Sequence, residues 1–428
     1  MEPAGEVTEL DAAPQRVRAG YLRQAAMTTA LLIPTIAIAA YVTLGAVRAR
    51  NQAEDQRQRA EQALAAATVA ANNLISDLAR GLRASTGVPA EMSKELLDRA
   101  RLLDDQLVVA AHPAPEVLRG TVAALDETAL TLSAIGDIAG AYGAADHARQ
   151  VTEGILATNP EDSNLQRETS IAYEKLGNLQ FTHGNYPEAL KSQQASLAIR
   201  GRLAAGDSGN VIWQRDLGVA HEKIGDAQLA QGNFAQAVDS YQANLAIRNR
   251  LVEAHPGDVR LARDYAVSHY KIGDLHMSQS NWSEALKSYQ AGFPISERLA
   301  KADPDNKLLQ RDLAALHDRI GDAQKDLGDL AEGMKSFQAS FAIRDRMSKF
   351  EPGDLAWQRD LAVSYGNMAQ VHRQAERIPE AIDALKRGRE IITRLTQLSP
   401  DNGRLKRNLA QLDGQLAELT RDAMTPPR

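Results

Sequence analysis

Val211–Asp258 reads VIWQRDLGVAHEKIGDAQLAQGNFAQAVDSYQANLAIRNRLVEAHPGD, and Lys307–Asp354, beginning 96 residues later, reads KLLQRDLAALHDRIGDAQKDLGDLAEGMKSFQASFAIRDRMSKFEPGD. Gln-Arg-Asp-Leu, Ile-Gly-Asp-Ala-Gln, Ala-Ile-Arg and Pro-Gly-Asp return in register. Half that spacing frames the rest: 163–210, 259–306 and 355–402 carry the same 48-residue unit, and 115–162 carries a more degraded copy. A unit of this length written six times signals a stacked array, in which neighbours bury faces that one unit leaves open.

Within the unit, Ile212, Trp213, Leu217, Ala220, Ile224, Ala227 and Leu229 recur at helical steps. Gln231-Gly232-Asn233 is a break. Phe234, Ala237, Val238, Tyr241, Leu245 and Leu251 then mark a second helix, which His255-Pro256-Gly257-Asp258 ends. No alternating β-branched run intervenes. The expected element order is helix, tight turn, helix, loop, repeated. Small residues keep register in both helices: Gly177, Gly225, Gly273, Gly321 and Ala369 in the first; Ala141, Ala189, Ala237, Ala285, Gly333 and Ala381 in the second. These columns read as packing signatures where helices approach closely. Large residues, nearly all apolar, fill the column Ile138, Tyr186, Phe234, Trp282, Leu330 and Ile378.

Gly225, Gly232, Phe234, Ala237 and Tyr241 resemble the tetratricopeptide repeat, with its small residue in the first helix and its G-x-Y/F-x-x-A-x-x-x-Y run at the turn. That family repeats every ~34 residues; the 48 here add about two turns to each helix at ~3.6 residues per turn. The wording resembles the extended arrays of bacterial signalling-type proteins. The resemblance spans about 115–402 and implies a right-handed α-solenoid that binds proteins. It also implies that residues just after the small position of the first helix line a concave groove. Asn178, Asp226, Asp274 and Asp322 form that row, with Gln370 beyond, and Lys175, Lys223, Lys271 and Arg319 precede them by three residues. Two readings stay open: intrahelical charge pairing at i,i+3 spacing, or a ladder contacting an extended partner. The family's two-carboxylate clamp is disfavoured, because Glu174 and Glu222 stand where it needs lysine.

Around the array, residues 1–23 form a polar tail. Gln24–Val47 holds no charge and is bracketed by Arg23 and Arg48. As a helix it spans about 36 Å against a ~30 Å hydrocarbon core, so it reads as a single transmembrane helix in contact with the lipid bilayer; Pro34 is tolerable there. The small residues Ala26/Ala30 and Ala39/Thr43 leave a homo-oligomer open. The flanking arginines barely differ in number. The expectation is a single-pass protein of a bacterial inner membrane with a periplasmic array, a cytoplasmic array being the alternative. Residues 48–112 read as a helical stalk or lead-in. It resembles the segment that, before such arrays, often joins an effector such as a kinase, cyclase or protease-like domain. Residues 403–428 read as a capping helix, with Leu405, Leu409, Leu412 and Leu416 as its stripe, and a tail. Gly292-Phe293-Pro294 breaks the fourth unit's pattern, where proline is expected either to kink or end the helix or to be simple drift.

Chemistry is sparse. The net charge of −6 does not suggest a nucleic-acid binder. Absence of cysteine excludes disulfides and thiolate chemistry. His221, His269 and His317 recur every 48 residues, but equivalent positions of stacked units do not converge on one ion, and Tyr173 and Tyr365 replace them in other copies. No phosphate-cradling, dinucleotide, metalloprotease or nucleophile-elbow motif is present. The expectation is an all-α, membrane-anchored scaffold that binds another protein or peptide segment, uses no cofactor or metal and catalyses nothing. The alternatives are a self-assembling stalk and a regulatory subunit with a cryptic enzymatic lead-in.

Overall fold

The last residue of each unit starts the next helix. Asp162, Asn210, Asp258, Asn306, Asp354 and Asn402 each accept hydrogen bonds from the first-turn backbone N–H groups that have no partner inside the helix, as Asn210 does from Trp213 at 3.2 Å. The other end of that helix closes with equal regularity. Six residues with positive φ recur at the same place in the unit: Gly136, Gly184, Gly232, Ser280, Gly328 and Glu376. At each, the N–H of the following residue reaches back to the carbonyl five before it, as Asn233 does to Gln228 at 2.9 Å, which is the Schellman arrangement.

The computed structural model describes residues 12–84, 91–99, 102, 115–400 and 402–424, and for 12–40, 83–84, 115–116 and 422–424 the backbone only. Among the described residues every regular element is a helix. After α1 (Ala12–Ala84) come six pairs: α2 (Pro115–Ile135) and α3 (Ile138–Thr158), α4 (Ser163–Thr182) and α5 (Tyr186–Gly206), α6 (Val211–Ala230) and α7 (Phe234–Ala254), α8 (Val259–Ser278) and α9 (Trp282–Ala302), α10 (Lys307–Asp326) and α11 (Leu330–Phe350), α12 (Leu355–Gln374) and α13 (Ile378–Leu398). α14 (Gly403–Met424) follows and packs on α13. From α2 onward each helix packs on its predecessor, an all-α repeat solenoid.

The small-residue columns are explained by what lies across from them. A Cβ built on Gly225 would meet the Tyr241 ring at 2.7 Å, one on Gly273 would run into the Tyr289 ring, one on Gly321 would meet the Phe337 ring at 2.9 Å, and one on Gly177 the Gln193 amide at 2.5 Å. Where the first helix carries Ala129 or Ala369, the facing position holds Ala145 or Leu385, which needs less room. Ala189, Ala237, Ala285 and Ala381 are fully buried, and Gly333 lies against the Gly321 carbonyl. Two residues read on the apolar stripe are instead outward: Ile212 is 57% exposed, and Phe234, at the first turn of α7, is 36% exposed.

The chain divides into two units, Met1–Thr68 and Val69–Arg428. In the first, α1 carries an i,i+4 pair between Arg57 and Glu61 at 2.8 Å. The membrane reading of Gln24–Val47 is corrected here. No described helix is long and apolar enough to cross a membrane. Most of that segment lies outside the residues whose side chains are described. Within α1 charges resume at Arg48, Arg50, Glu54 and Asp55. Single-pass localisation and a lipid partner are therefore not retained. In the second unit, the end of α1 and the helical stretch 91–99 pack against α2 and α3: Ala79 and Leu97 join Leu125, Leu132 and Ala141, and the Thr131 hydroxyl donates to the Ala79 carbonyl at 2.9 Å. Residues 111–115, whose two prolines read as a hinge before the first unit, fall largely outside the described residues.

Pro294 does not end its helix; α9 runs through it. Its neighbours show why this unit differs. Elsewhere the Ala-Ile-Arg arginine is buried, and Arg200 and Arg344 pair with the first-helix acids Glu174 at 2.5 Å and Asp318 at 2.6 Å. In the fourth unit Ser296 replaces the arginine and Tyr270 the acid, and their hydroxyls hydrogen-bond. Gly292 makes room: a Cβ there would lie 2.6 Å from the Tyr270 ring. A buried ion pair has been exchanged for a neutral one, a swap that is often close to neutral in stability.

Candidate protein-binding surface

The first helices of successive units share a charged seam. Arg119, Arg167, Arg215, Arg263 and Arg311 each reach the acid one unit and one residue ahead: Glu168 at 2.9 Å, Asp216 at 2.5 Å, Asp264 at 2.6 Å, Asp312, and Asp360 at 3.6 Å. At Arg359 the equivalent residue is Asn408, and Arg359 instead holds its neighbour Asp360 at 2.5 Å. This explains why Arg and Asp adjoin in the recurring Gln-Arg-Asp: one charge faces the preceding unit, the other the following one. The motif was visible in the sequence only as a register mark. The buried arginines were likewise visible only as Ala-Ile-Arg. Arg248 holds Asp264 at 2.9 Å, and burial pushes its guanidinium below the ordinary value while Asp264 and Glu222 oppose this.

The candidate groove residues lie on the same seam and are paired mainly between units. Lys271 donates to both Asp226 oxygens at 2.8 and 2.9 Å, and Arg319 to Asp274 at 2.7 and 3.0 Å. Each acid also accepts from a tyrosine of its own second helix: Tyr241 to Asp226 at 2.7 Å and Tyr289 to Asp274 at 2.8 Å. Burial, then the adjacent carboxylate, pushes both phenols above their ordinary range. Burial works to lower the Lys271 and Arg319 cations, but Asp226 with Glu222, and Asp274, outweigh it and leave both raised. Lys175 pairs with Asp126, whose carboxyl burial raises despite that partner. The i,i+3 pairing read from the sequence is the minor mode: Lys223 stands 4.0 Å from Asp226, too far for a hydrogen bond.

The ends of the row differ from its middle. Asn178 takes a hydrogen bond from Gln193 at 3.2 Å. Asp322 has Phe337 in place of the tyrosine and Asn367 in place of the next unit's base. It accepts instead from Lys325 at 3.1 Å, and burial raises its carboxyl. A recess of about 270 Å³ opens between α4, α5 and α6, lined by Asn178, Phe181, Gln193, Lys223 and Asp226 among others. Among the described residues no three His, Asp or Glu side chains are grouped to hold a metal. His269 and His317 pack edge-on against Tyr265 and Phe293, and burial lowers the pKa of both, as it does for His221. The seam holds most of its charged groups in pairs between units.

A family described as Tetratricopeptide repeat matches residues 168–243, which contain this recess. No curated protein matches the chain. Solved structures similar to it include BtubC (BKLC) from P. vanneervenii, at 13% identity and TM-score 0.47 over 60% of this chain and 91% of that one. The apo form of RapI is similar at 12% identity and TM-score 0.45, over 81% and 87%. A Rap protein complexed with competence and sporulation factor is similar at 12% identity and TM-score 0.42, over 82% and 99%.

Proposed function

We propose that this chain is a protein-interaction scaffold whose first-helix seam receives an extended segment of another protein. The observation that carries the reading is the coincidence of the tetratricopeptide-repeat match with the recess at Asn178, Lys223 and Asp226. A binding site of this kind is a concavity with a few fixed polar groups, and the inter-unit pairs hold those groups in place without a ligand. The reading includes the extended 48-residue form of the repeat: six units over 115–402 followed by α14, with the end of α1 and residues 91–99 packed on the first of them. It assigns no catalysis, because the matched repeat points to binding and no enzymatic family is indicated.

The test is site-specific photocrosslinking in the full chain. A crosslinking amino acid at Phe181, in the recess, should capture a partner that the same group at Lys287, on the outward side of α9, does not. Equal capture from both positions, or capture from Lys287 alone, would place the interaction elsewhere.

A further inference from the structure

The charge row is out of step by one unit, and the mismatch leaves a cation in the recess. The rule along the seam is that the row's acid in one unit is held by the base of the next: Asp226 by Lys271, Asp274 by Arg319. Lys223 is a base in this series, but the residue it should hold is Asn178. Its nearest carboxylate oxygens belong to Glu222 at 3.7 Å and Asp226 at 4.0 Å. Glu222 is shared with Lys271 at 3.8 Å, and Asp226 already accepts from Lys271 and Tyr241. Glu174, which stands to Lys223 in the repeat as Glu222 does to Lys271, is occupied by the buried Arg200. The opposite end of the row shows what compensation looks like: Asp322, lacking a base at Asn367, is held by Lys325, a position filled by Phe181, Leu229 and Met277 in the three preceding units and by Arg373 in the next. No such residue has been supplied for Lys223.

A second observation comes from the recess wall. Gln193 is 2% exposed and lines the cavity. Its amide nitrogen donates to Asn178 and to the Glu174 carbonyl, both at 3.2 Å, while its Oε1 has no partner. An unpaired buried acceptor calls for a donor. The recess thus presents an under-neutralised ammonium beside the Phe181 ring, with an unfilled amide acceptor buried in its wall.

Resting on the scaffold reading above, we propose that the recess at units two and three receives an acidic side chain, Asp or Glu, from within the partner's bound segment. Its carboxylate takes the Lys223 ammonium, and the Gln193 side chain repacks so that its unpaired Oε1 meets a backbone N–H of the segment. An internal residue rather than a chain end fits the site, because Lys223 is the only cation among the lining residues and the seam continues through units on both sides.

The probe is a set of blocked dodecapeptide libraries, acetylated and amidated, with Glu, Gln or Lys fixed at the sixth position and the rest randomised, titrated against the full chain. A fourth library carries Gln there and a free terminal carboxylate. The Glu library should bind roughly tenfold more tightly than the Gln library, the scale of one partly screened charge-assisted contact. Lys223→Met should remove that preference, Lys223→Glu should transfer it to the Lys library, and Lys287→Met should leave it unchanged; circular dichroism confirms that each variant folds. Tightest binding by the free-carboxylate library would make the occupant a chain end and overturn the proposal. Equal binding of Glu and Gln libraries that is still competed by a label at Phe181 would overturn the acidic contact and leave the scaffold reading standing. Failure of every library to bind, with Phe181 crosslinks also absent, would overturn both.

Discussion

Replacing Gly225 by Ala adds one carbon, and its effect follows from where that carbon lands. Alanine is favoured over glycine by about 0.5–1 kcal/mol inside a helix. The new Cβ would lie 2.7 and 2.8 Å from two Tyr241 ring carbons, against an ordinary contact of about 3.5–4.0 Å. The ring cannot swing aside freely: it is 1% exposed and its hydroxyl is tied to Asp226 at 2.7 Å. Overpacking of this kind typically costs about 1–3 kcal/mol, so the net change should range from near zero to about 2 kcal/mol destabilising. Gly366 is the control, a helical glycine with nothing within 4 Å of its added Cβ, where alanine should stabilise by about 0.5–1 kcal/mol. In a Tyr241→Leu background, which reproduces the Ala369–Leu385 pair of the sixth unit, Gly225→Ala should turn favourable. Because array stability is a sum of unit and interface contributions, amide hydrogen exchange in α6 and α7 is the readout, alongside urea unfolding of the full chain. If Gly225→Ala and Gly366→Ala change stability alike, or if the leucine background makes no difference, the ring-on-glycine account of the column is wrong.

Glu376 adopts the positive φ that four other units give to glycine, so Glu376→Gly should stabilise the α12–α13 turn by about 0.5–1 kcal/mol, read by thermal melting, whereas Gly232→Val should destabilise its own turn. Arg344→Met strands the buried Asp318 carboxylate, whose Oδ1 already lacks a partner, and should cost about 3–5 kcal/mol in urea unfolding. The double change Asp318→Tyr with Arg344→Ser, which copies Tyr270 and Ser296, should recover most of it if the adjoining Ser340 is also made Gly, as at Gly292. His221, His269 and His317 are held below the ordinary imidazole value of 6.5 by burial, with Asp318 and Glu297 opposing this at His317. The unfolded chain therefore binds more protons there, so the stability they confer is complete above about pH 6.5 and is lost as pH falls through the lowered folded values. Replacing all three by Tyr, the residue at 173 and 365, should flatten that acid limb in a pH series of melting curves; an unchanged limb would show that these imidazoles do not carry it.

Much of the array could be read directly. The 48-residue period, the helix–turn–helix order and the small-residue columns are written in residue types whose local preferences agree with one another. The Asn or Asp ending each unit was legible as a loop but not as a cap, since capping is assigned by which backbone N–H the side chain meets. Gln24–Val47 marks the opposite case: an uncharged stretch was read as a membrane span, and no described helix is long and apolar enough to be one.

The binding row shows where the division falls. Lys223 and Asp226, Lys271 and Asp274 are three residues apart, and helix geometry alone makes them neighbours. Yet Asp226 is held by Lys271, 45 residues on, and Asp274 by Arg319, because stacking brings the first helices side by side with a small offset. The sequence by itself determined which side chains share a helix face, since that depends only on the pitch of the helix. Which cation meets which carboxylate, and hence that Lys223 has none at hydrogen-bond distance, was decided only by the height and rotation between units, set where each second helix packs on the first helix of the next unit.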